Sequence, residues 1–217
     1  MRGAASRWRA GISIALCACV GGVAWQACSR GSGVGASDAS PVALRSDAPE
    51  DFGAVRDFEL TERSGRVVKN TDLAGQVWVA GFVFTRCSGP CPKVTGTMRK
   101  LQDALTPTHA KLVSFSVDPE YDTPAVLTQY AHDFGADAER WWMLTGPSAV
   151  IDAVVPPLLP RNKREAAGSV PVGESVGHNT RLMVVDQHGK IRGFYSGETA
   201  EHVDLVVARV KFLEQQP

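Results

Sequence analysis

Hydrophobic and polar positions change their period several times along the middle of this 217-residue chain. Residues 77–85 form an apolar run rich in β-branched and aromatic side chains, which predicts a buried strand. Apolar residues at helical spacing then predict an amphipathic helix over 93–105, formed around Val94, Met98, Leu101 and Leu105. Alternation over 111–117 predicts the next strand.

The pattern continues with a helix over 124–134 that has proline in its first turn. Asp122 and Thr123 can both cap this helix, and we expect Asp122 to act as a cap. A short strand over 141–144 and a short helix over 148–155 follow.

Hairpins are predicted near both ends of the patterned region, over 55–69 and over 181–195, and a last amphipathic helix over 199–213. Residues 156–177 are rich in proline and glycine and predict a long loop. Strands that alternate with helices between two hairpins predict an α/β domain. We expect a mixed sheet flanked by helices, with β-hairpin additions at its N-terminal and C-terminal ends.

The first 28 residues have the order of an export signal, because arginines precede an uncharged run over 10–28. Three interpretations stay open: a cleaved signal, an uncleaved membrane helix, and a lipoprotein signal with Cys28 as the acylated residue and Cys19 as a weaker alternative. All three place the following domain on the oxidising, periplasmic side of a membrane, where disulfides persist. A membrane tether is the prediction that we carry forward.

Composition separates a tether from one folded domain. Glycine, serine, alanine and proline dominate residues 29–50, which predicts a flexible tether before a domain over 51–217. Hydrophobic content of 44% and charged content of 21% are ordinary for a globular protein. The formal net charge is zero and the longest basic cluster, at 161–164, is short, so the sequence argues against a nucleic-acid partner.

Two cysteines, Cys87 and Cys91, lie at the junction between the predicted strand over 77–85 and the helix over 93–105. A helix N-terminus favours a thiolate, so we expect a reactive pair that forms a disulfide or binds a soft cation. Thiol–disulfide enzymes use two intervening residues, and the three found here favour a metal. A structural disulfide stays open, although so short a loop would stabilise little. A thiol pair at this junction makes a thioredoxin-like fold the leading candidate.

Two thiolates can hold Cu(I), and a histidine is the usual third donor. Three of the five histidines lie in predicted loops: His109, His178 and His188. The other two, His132 and His202, lie in predicted helices. His178 follows the long loop and shortly precedes the strand over 181–185. Position alone leaves the choice open.

Four segments resemble the Sco/SenC family of copper-binding assembly factors for cytochrome c oxidase. Residues 84–92, Phe-Thr-Arg-Cys-Ser-Gly-Pro-Cys-Pro, resemble its F-T-x-C-x-x-x-C-P segment, and residues 116–124 resemble its S-V-D-P-x-x-D-T-P segment. Residues 178–181 stand where the family carries its ligand histidine, and residues 185–195 resemble the hairpin that follows. The segments occur in the family's order, and the resemblance covers about residues 55–213.

The resemblance implies a thioredoxin-like copper chaperone rather than an enzyme. It implies that Cys87, Cys91 and His178 bind one copper ion, Cu(I) with Cu(II) as a second candidate. The implied partners are the copper-centre subunit of cytochrome c oxidase, other copper chaperones, and the membrane through the N-terminal segment. In the alternative, Cys87 and Cys91 are redox-active and reduce the disulfide of the apo copper centre.

Other features separate the competing hypotheses. A peroxidase would carry proline and threonine where Ala80 and Phe84 stand. Residues 88–90 and the loop over 156–177 depart from the family pattern. Asp118, at a strand end on the same edge as the cysteine turn, is a candidate to lie near the metal or a partner. A binding module with a structural disulfide is the remaining hypothesis.

Overall fold

The structure is a computed structural model that describes residues 50–156 and 180–216. These residues belong to one compact unit, Ser46–Pro217. In chain order the described elements are β1 (Glu59–Glu62), β2 (Val67–Lys69), β3 (Trp78–Val83), α1 (Cys91–Ala104), β4 (Lys111–Ser116), α2 (Pro124–Asp133), β5 (Trp141–Thr145), α3 (Ser148–Val154), β6 (Arg181–Val185), β7 (Ile191–Ser196) and α4 (Glu201–Glu214). A 3-10 turn, Asn70–Leu73, follows β2.

The strands form one mixed sheet in the order β2-β1-β5-β4-β3-β6-β7. The central strands β3, β4 and β5 are parallel. The β1–β2 hairpin adds to β5, and the β6–β7 hairpin adds to β3, both antiparallel. The predicted mixed sheet with a hairpin addition at each end is confirmed.

The central strands β3, β4 and β5 are covered on both faces, since all of their residues except Lys111 are buried. All six residues of β3 are buried, and α1 packs against it. Gly81 faces this helix, and a Cβ at that position would make ordinary contacts with Leu182 Cδ2 at 3.5 Å and Met98 Sδ at 3.6 Å, so the packing does not depend on glycine. Around Phe115, three aromatic rings complete the centre of the core: Phe58, Trp78 and Phe82.

Parallel pairing brings two segments of the chain to one edge of the sheet. Val83, the last residue of β3, pairs with Ser116, the last residue of β4. The Val117 N–H donates to the Val83 carbonyl at 2.9 Å, so the pairing extends just past both strands. The residues that follow β3 and β4 therefore meet at the carboxyl edge of the sheet, where ligands bind in open α/β sheets.

One predicted cap is wrong. Thr123, not Asp122, caps α2, with its side chain accepting from the Val126 N–H at 3.4 Å. Asp122 is fully buried and directed elsewhere. Its carboxylate accepts hydrogen bonds from Thr85 and Ser116 instead of from the N-terminus of α2.

Several predictions fall on parts of the chain outside the described residues. They are the anchor over 1–28, the tether up to residue 49, the loop from residue 157, and His178. Among the described helices, none has both the length and the apolar character needed to cross a membrane.

Candidate metal centre

The two cysteines stand at the carboxyl edge of the sheet. Cys87 lies in the turn after β3, where its N–H donates to the Phe84 carbonyl at 3.3 Å. Cys91 is the first residue of α1, and the Pro90 carbonyl accepts the first bonds of the helix, from Lys93 and Val94. Neither thiol is in a disulfide, and both residues are buried, with 6% and 5% of their surface exposed.

The thiols contact each other, since the Cys91 side chain hydrogen-bonds to that of Cys87. Burial raises the pKa of the Cys91 thiol, and the Phe84 backbone opposes this only in part. The predicted thiolate at the helix N-terminus is therefore wrong for Cys91, because desolvation outweighs the helix end. Cys91 is therefore a protonated thiol beside Cys87, and the two sulfurs can bind a soft metal or be oxidised together.

A buried carboxylate lies behind the turn. Asp122 accepts from the Thr85 N–H at 3.2 Å, from Thr85 Oγ1 at 2.5 Å and from Ser116 Oγ at 2.6 Å. Burial raises the pKa of Asp122, and the hydrogen bonds from Ser116 and Thr85 offset part of that rise. Asp122 thus joins Thr85, the first residue of the turn between β3 and α1 (residues 85–90, here called the thiol turn), to the end of β4.

A second carboxylate holds the next residue of the turn. Asp118 Oδ2 accepts from Arg86 Nε at 2.5 Å. The Arg86 guanidinium also lies 4.8 Å from the centre of the Tyr121 ring, whose residue is 48% exposed. Asp118 therefore lies at the rim of the thiol turn, through an ion pair with the residue before Cys87.

A hydroxyl chain secures the helical side of the pair. The Thr95 hydroxyl donates to the Cys91 carbonyl at 3.0 Å, so the Tyr130 hydroxyl must donate to Thr95 Oγ1, 2.7 Å away. Burial raises the pKa of Tyr130. The contact between Thr95 and Cys91 can be predicted from their spacing of one helical turn. The contact of Tyr130 on α2 with Thr95 cannot, because the two residues are distant in sequence.

The described histidines do not complete a metal site. His109 precedes β4 and His188 lies in the β6–β7 turn, both at the end of the sheet where β3 begins. His132 is an exposed residue of α2, and His202 Nδ1 accepts the Ser196 N–H at 2.8 Å. Within residues 50–156 and 180–216, no group of three His, Cys, Asp or Glu side chains suits a metal ion.

A buried thiol pair that spans the turn from a central parallel strand to a helix defines a thioredoxin-like domain with a thiol site. The SCO1/SenC family model matches residues 46–212, and the chain belongs to that family. The chain is 32% identical over 161 residues to the SCO1 protein homolog of Bacillus subtilis (strain 168), covering 72% of this chain and 81% of the relative.

Solved structures agree with this assignment. A SCO1/SenC family lipoprotein from Bacillus anthracis is 31% identical, with a TM-score of 0.70 over 80% of this chain and all of the other. BsSco, described as a Sco-family cytochrome c oxidase assembly protein with a disulfide switch, is 29% identical, with a TM-score of 0.65 over 78% and 97%. Copper-bound ScoI of Bradyrhizobium japonicum, 21% identical, shares the fold, with a TM-score of 0.62 over 74% and 99%.

Proposed function

We propose that this protein is a copper metallochaperone that assists assembly of the copper centre of cytochrome c oxidase. The contact between the buried thiols of Cys87 and Cys91 carries the proposal. Two buried sulfur donors suit Cu(I), a soft ion, better than the hard divalent cations. The copper bound to a relative and the oxidase-assembly role of another support the same cargo and client.

Copper is the cargo in this proposal, and the protein supplies a place to hold it. Copper binds the thiolate form of cysteine, so binding displaces the proton of the buried Cys91 thiol. Burial excludes water and protects Cu(I) from oxidants, while the position at the sheet edge keeps the sulfurs within reach of a partner. Cu(II) is a second candidate ion.

His178 is the proposed third ligand. Thr180, two residues later, accepts from the Gly197 N–H at 2.7 Å. A Cβ on Gly197 would lie 2.8 Å from the Thr180 carbonyl oxygen and 3.1 Å from Val94 Cγ1, in the first turns of α1. Two residues of chain span about 7 Å. This position of Thr180 beside the helix of Cys91 supports an imidazole donor from His178.

The test is Cu(I) binding to the reduced protein, measured by competition with a chelator of known affinity. We expect one Cu(I) per chain, and His178→Ala to weaken binding by about tenfold or more. His188→Ala is the control, because His188 is an exposed histidine at the opposite end of the sheet. Equal affinities for wild type and His178→Ala would overturn the three-ligand site, and no Cu(I) binding would overturn the function.

A thiol–disulfide reductase is the second candidate function. The thiols already contact each other, and the related BsSco is described as having a disulfide switch. The candidate predicts rapid exchange between reduced Cys87–Cys91 and a disulfide peptide of the apo copper centre. Exchange without measurable Cu(I) affinity favours the reductase; slow exchange with tight Cu(I) binding favours the chaperone.

We propose a membrane-tethered location with the domain facing the periplasm, and a family lipoprotein among the structural relatives supports this. Lipidation at Cys28 predicts that Cys28→Ser moves the protein from the membrane to the soluble fraction. Retention at the membrane in that variant would favour an uncleaved helix, and a soluble wild-type protein would contradict the tether.

A further inference from the structure

Three donors form hydrogen bonds to the Asp122 side chain, and they come from the thiol turn or from the end of β4. Its side chain has no exposed surface. Both oxygens lie within 3.3 Å of the Thr85 nitrogen, and the hydroxyls of Thr85 and Ser116 donate at 2.5 and 2.6 Å. A carboxylate is the side chain that satisfies several converging donors at once, because it only accepts.

The segment that contains Asp122 holds two consecutive residues of the turn. Asp122 binds Thr85, and Asp118 binds Arg86, which precedes Cys87 directly. Ser116 links the two, since its hydroxyl donates to Asp122 and accepts from the Asp118 N–H at 3.2 Å. The Asp118 contact is at the rim, where the Arg86 side chain is 31% exposed, whereas the Asp122 contact is buried.

We propose that Asp122 is a positioning residue for copper binding: it clamps Thr85 so that the Cys87 thiol stays beside the Cys91 thiol. This inference rests on the proposed copper function and deepens it. Cys91 is held by the first turn of α1 and by Thr95. Cys87 lies in a turn without regular structure, so its position depends on the contacts of the residues just before it. Hydrogen bonds made behind the metal-binding side chains orient the donors of metal sites in this way.

Asp186 supplies a matched control. It is also a buried aspartate at a strand end, with 4% of its surface exposed. Its Oδ1 accepts the N–H groups of His188 and Lys190 at 2.9 Å, and its Oδ2 pairs with Arg192 Nε at 2.7 Å. It lies beyond Val185, which pairs with Trp78 at the start of β3, so a full strand separates it from the thiols.

The experiment compares Cu(I) affinity of the reduced full-length protein with that of Asp122→Asn and Asp186→Asn. A carboxamide turns an NH₂ group towards donors and cannot hold all three. We expect Asp122→Asn to weaken Cu(I) binding by about tenfold or more. We expect Asp186→Asn to lower thermal stability while the affinity for Cu(I) stays that of the wild type. Equal Cu(I) affinities of wild type and Asp122→Asn, or equal losses in the two variants, overturn the proposal.

Thr85→Val is a second variant that tests the positioning of Cys87 without changing the charge of Asp122. It also provides the test if Asp122→Asn does not fold. It removes the hydroxyl that donates to Asp122 and leaves the carboxylate in place. Positioning predicts weaker Cu(I) binding in this variant too, and a loss in the double variant smaller than the sum of the two single losses. Tighter binding in Asp122→Asn with no change in Thr85→Val would show a charge effect and overturn the proposal.

Failure of the copper function is recognised separately, because the wild type itself would then bind no Cu(I). The reduction potential of the Cys87–Cys91 couple then measures whether Asp122 positions the Cys87 thiol. A contact that holds the two thiols together also favours the disulfide between them, so Asp122→Asn should make the couple more oxidising by about 30 mV, a tenfold change in equilibrium constant. Asp186→Asn should leave the potential unchanged. Identical potentials in all three proteins, or a more reducing couple in Asp122→Asn, would overturn the positioning role.

Discussion

At the residue scale, Cys91 shows two opposing effects on one thiol. Its place at the start of α1 favours a thiolate, and its burial favours the protonated form. Burial is the larger effect, because the pKa of Cys91 is raised above its ordinary value of 9.0. The helix end contributes a fraction of a charge over one turn, whereas desolvation acts on the whole ion.

Alkylation of Cys91 should therefore be slow and should keep rising with pH. We expect its rate with iodoacetamide to increase beyond pH 9 without levelling, because only the thiolate reacts. Mass spectrometry of the labelled peptides measures the rate at Cys91 alone. The same protein in denaturant provides the comparison, with a profile that levels near an ordinary thiol pKa. A plateau below pH 9 in the folded protein would contradict the burial argument.

Gly197 is the residue at which the chain has least room near the proposed ligand segment. A Cβ there would meet the Thr180 carbonyl oxygen at 2.8 Å and Val94 Cγ1 at 3.1 Å. We expect Gly197→Ala to lower the free energy of unfolding by about 2 kcal/mol, because backbone must shift. We also expect weaker Cu(I) binding, since the shift displaces Thr180 from α1. Chemical denaturation and Cu(I) competition measure the two effects, and wild-type values in both would be inconsistent with the close packing.

At the element scale, α1 begins at Cys91, two residues earlier than the pattern of apolar positions indicates. Pro90 and Pro92 account for this, because proline is tolerated in the first turn of a helix, where its missing N–H costs nothing. The spacing of apolar residues locates the buried face of a helix but does not indicate whether polar or thiol residues at its ends are helical. Cys91, one of the proposed copper ligands, consequently belongs to the helix itself.

Gly96 offers a test of α1 that leaves the site intact. It lies inside the helix, and a Cβ on it would meet nothing within 4 Å. We expect Gly96→Ala to raise the free energy of unfolding by about 1 kcal/mol, the difference in helix propensity between glycine and alanine. Gly96→Ala and Gly197→Ala are the same substitution, and we expect them to change the free energy of unfolding in opposite directions. Each variant is therefore a control for the other in urea denaturation. A loss of stability would show that Gly96 has a packing role.

At the scale of the whole molecule, three regions of the chain converge on the carboxyl edge of the sheet. They are the thiol turn, the segment after β4, and the approach to β6 at Thr180. Parallel pairing of β3 with β4 brings the first two together, and antiparallel pairing of β6 with β3 brings the third. The order of the strands in the sheet therefore brings the three regions of the proposed site together.

The domain over 51–217 remains a prediction that expression of a fragment can test. The family match spans residues 46–212, and one compact unit spans Ser46–Pro217. We expect residues 46–217 alone to unfold in a single cooperative transition, because the core of the described residues lies within them. Excess Cu(I) should raise the midpoint by mass action. A broad, non-cooperative transition would contradict the assigned boundary.

The sequence by itself determined the elements, the α/β class, the thiol pair and the family. These follow from local information: the period of apolar positions, proline and glycine at turns, and motifs whose residues are adjacent in the chain. Even the hairpin additions at both ends were readable, because a hairpin pairs neighbours in sequence.

Only the tertiary structure decided the protonation of Cys91 and the role of Asp122. Both depend on burial and on partners that are distant in sequence, Thr85 for Asp122 and the surrounding core for Cys91. A capping motif looks identical whether its aspartate faces the helix end or a turn across the sheet. The choice is made by the register of β3 and β4, which places Asp122 under the thiol turn and leaves Thr123 to cap α2.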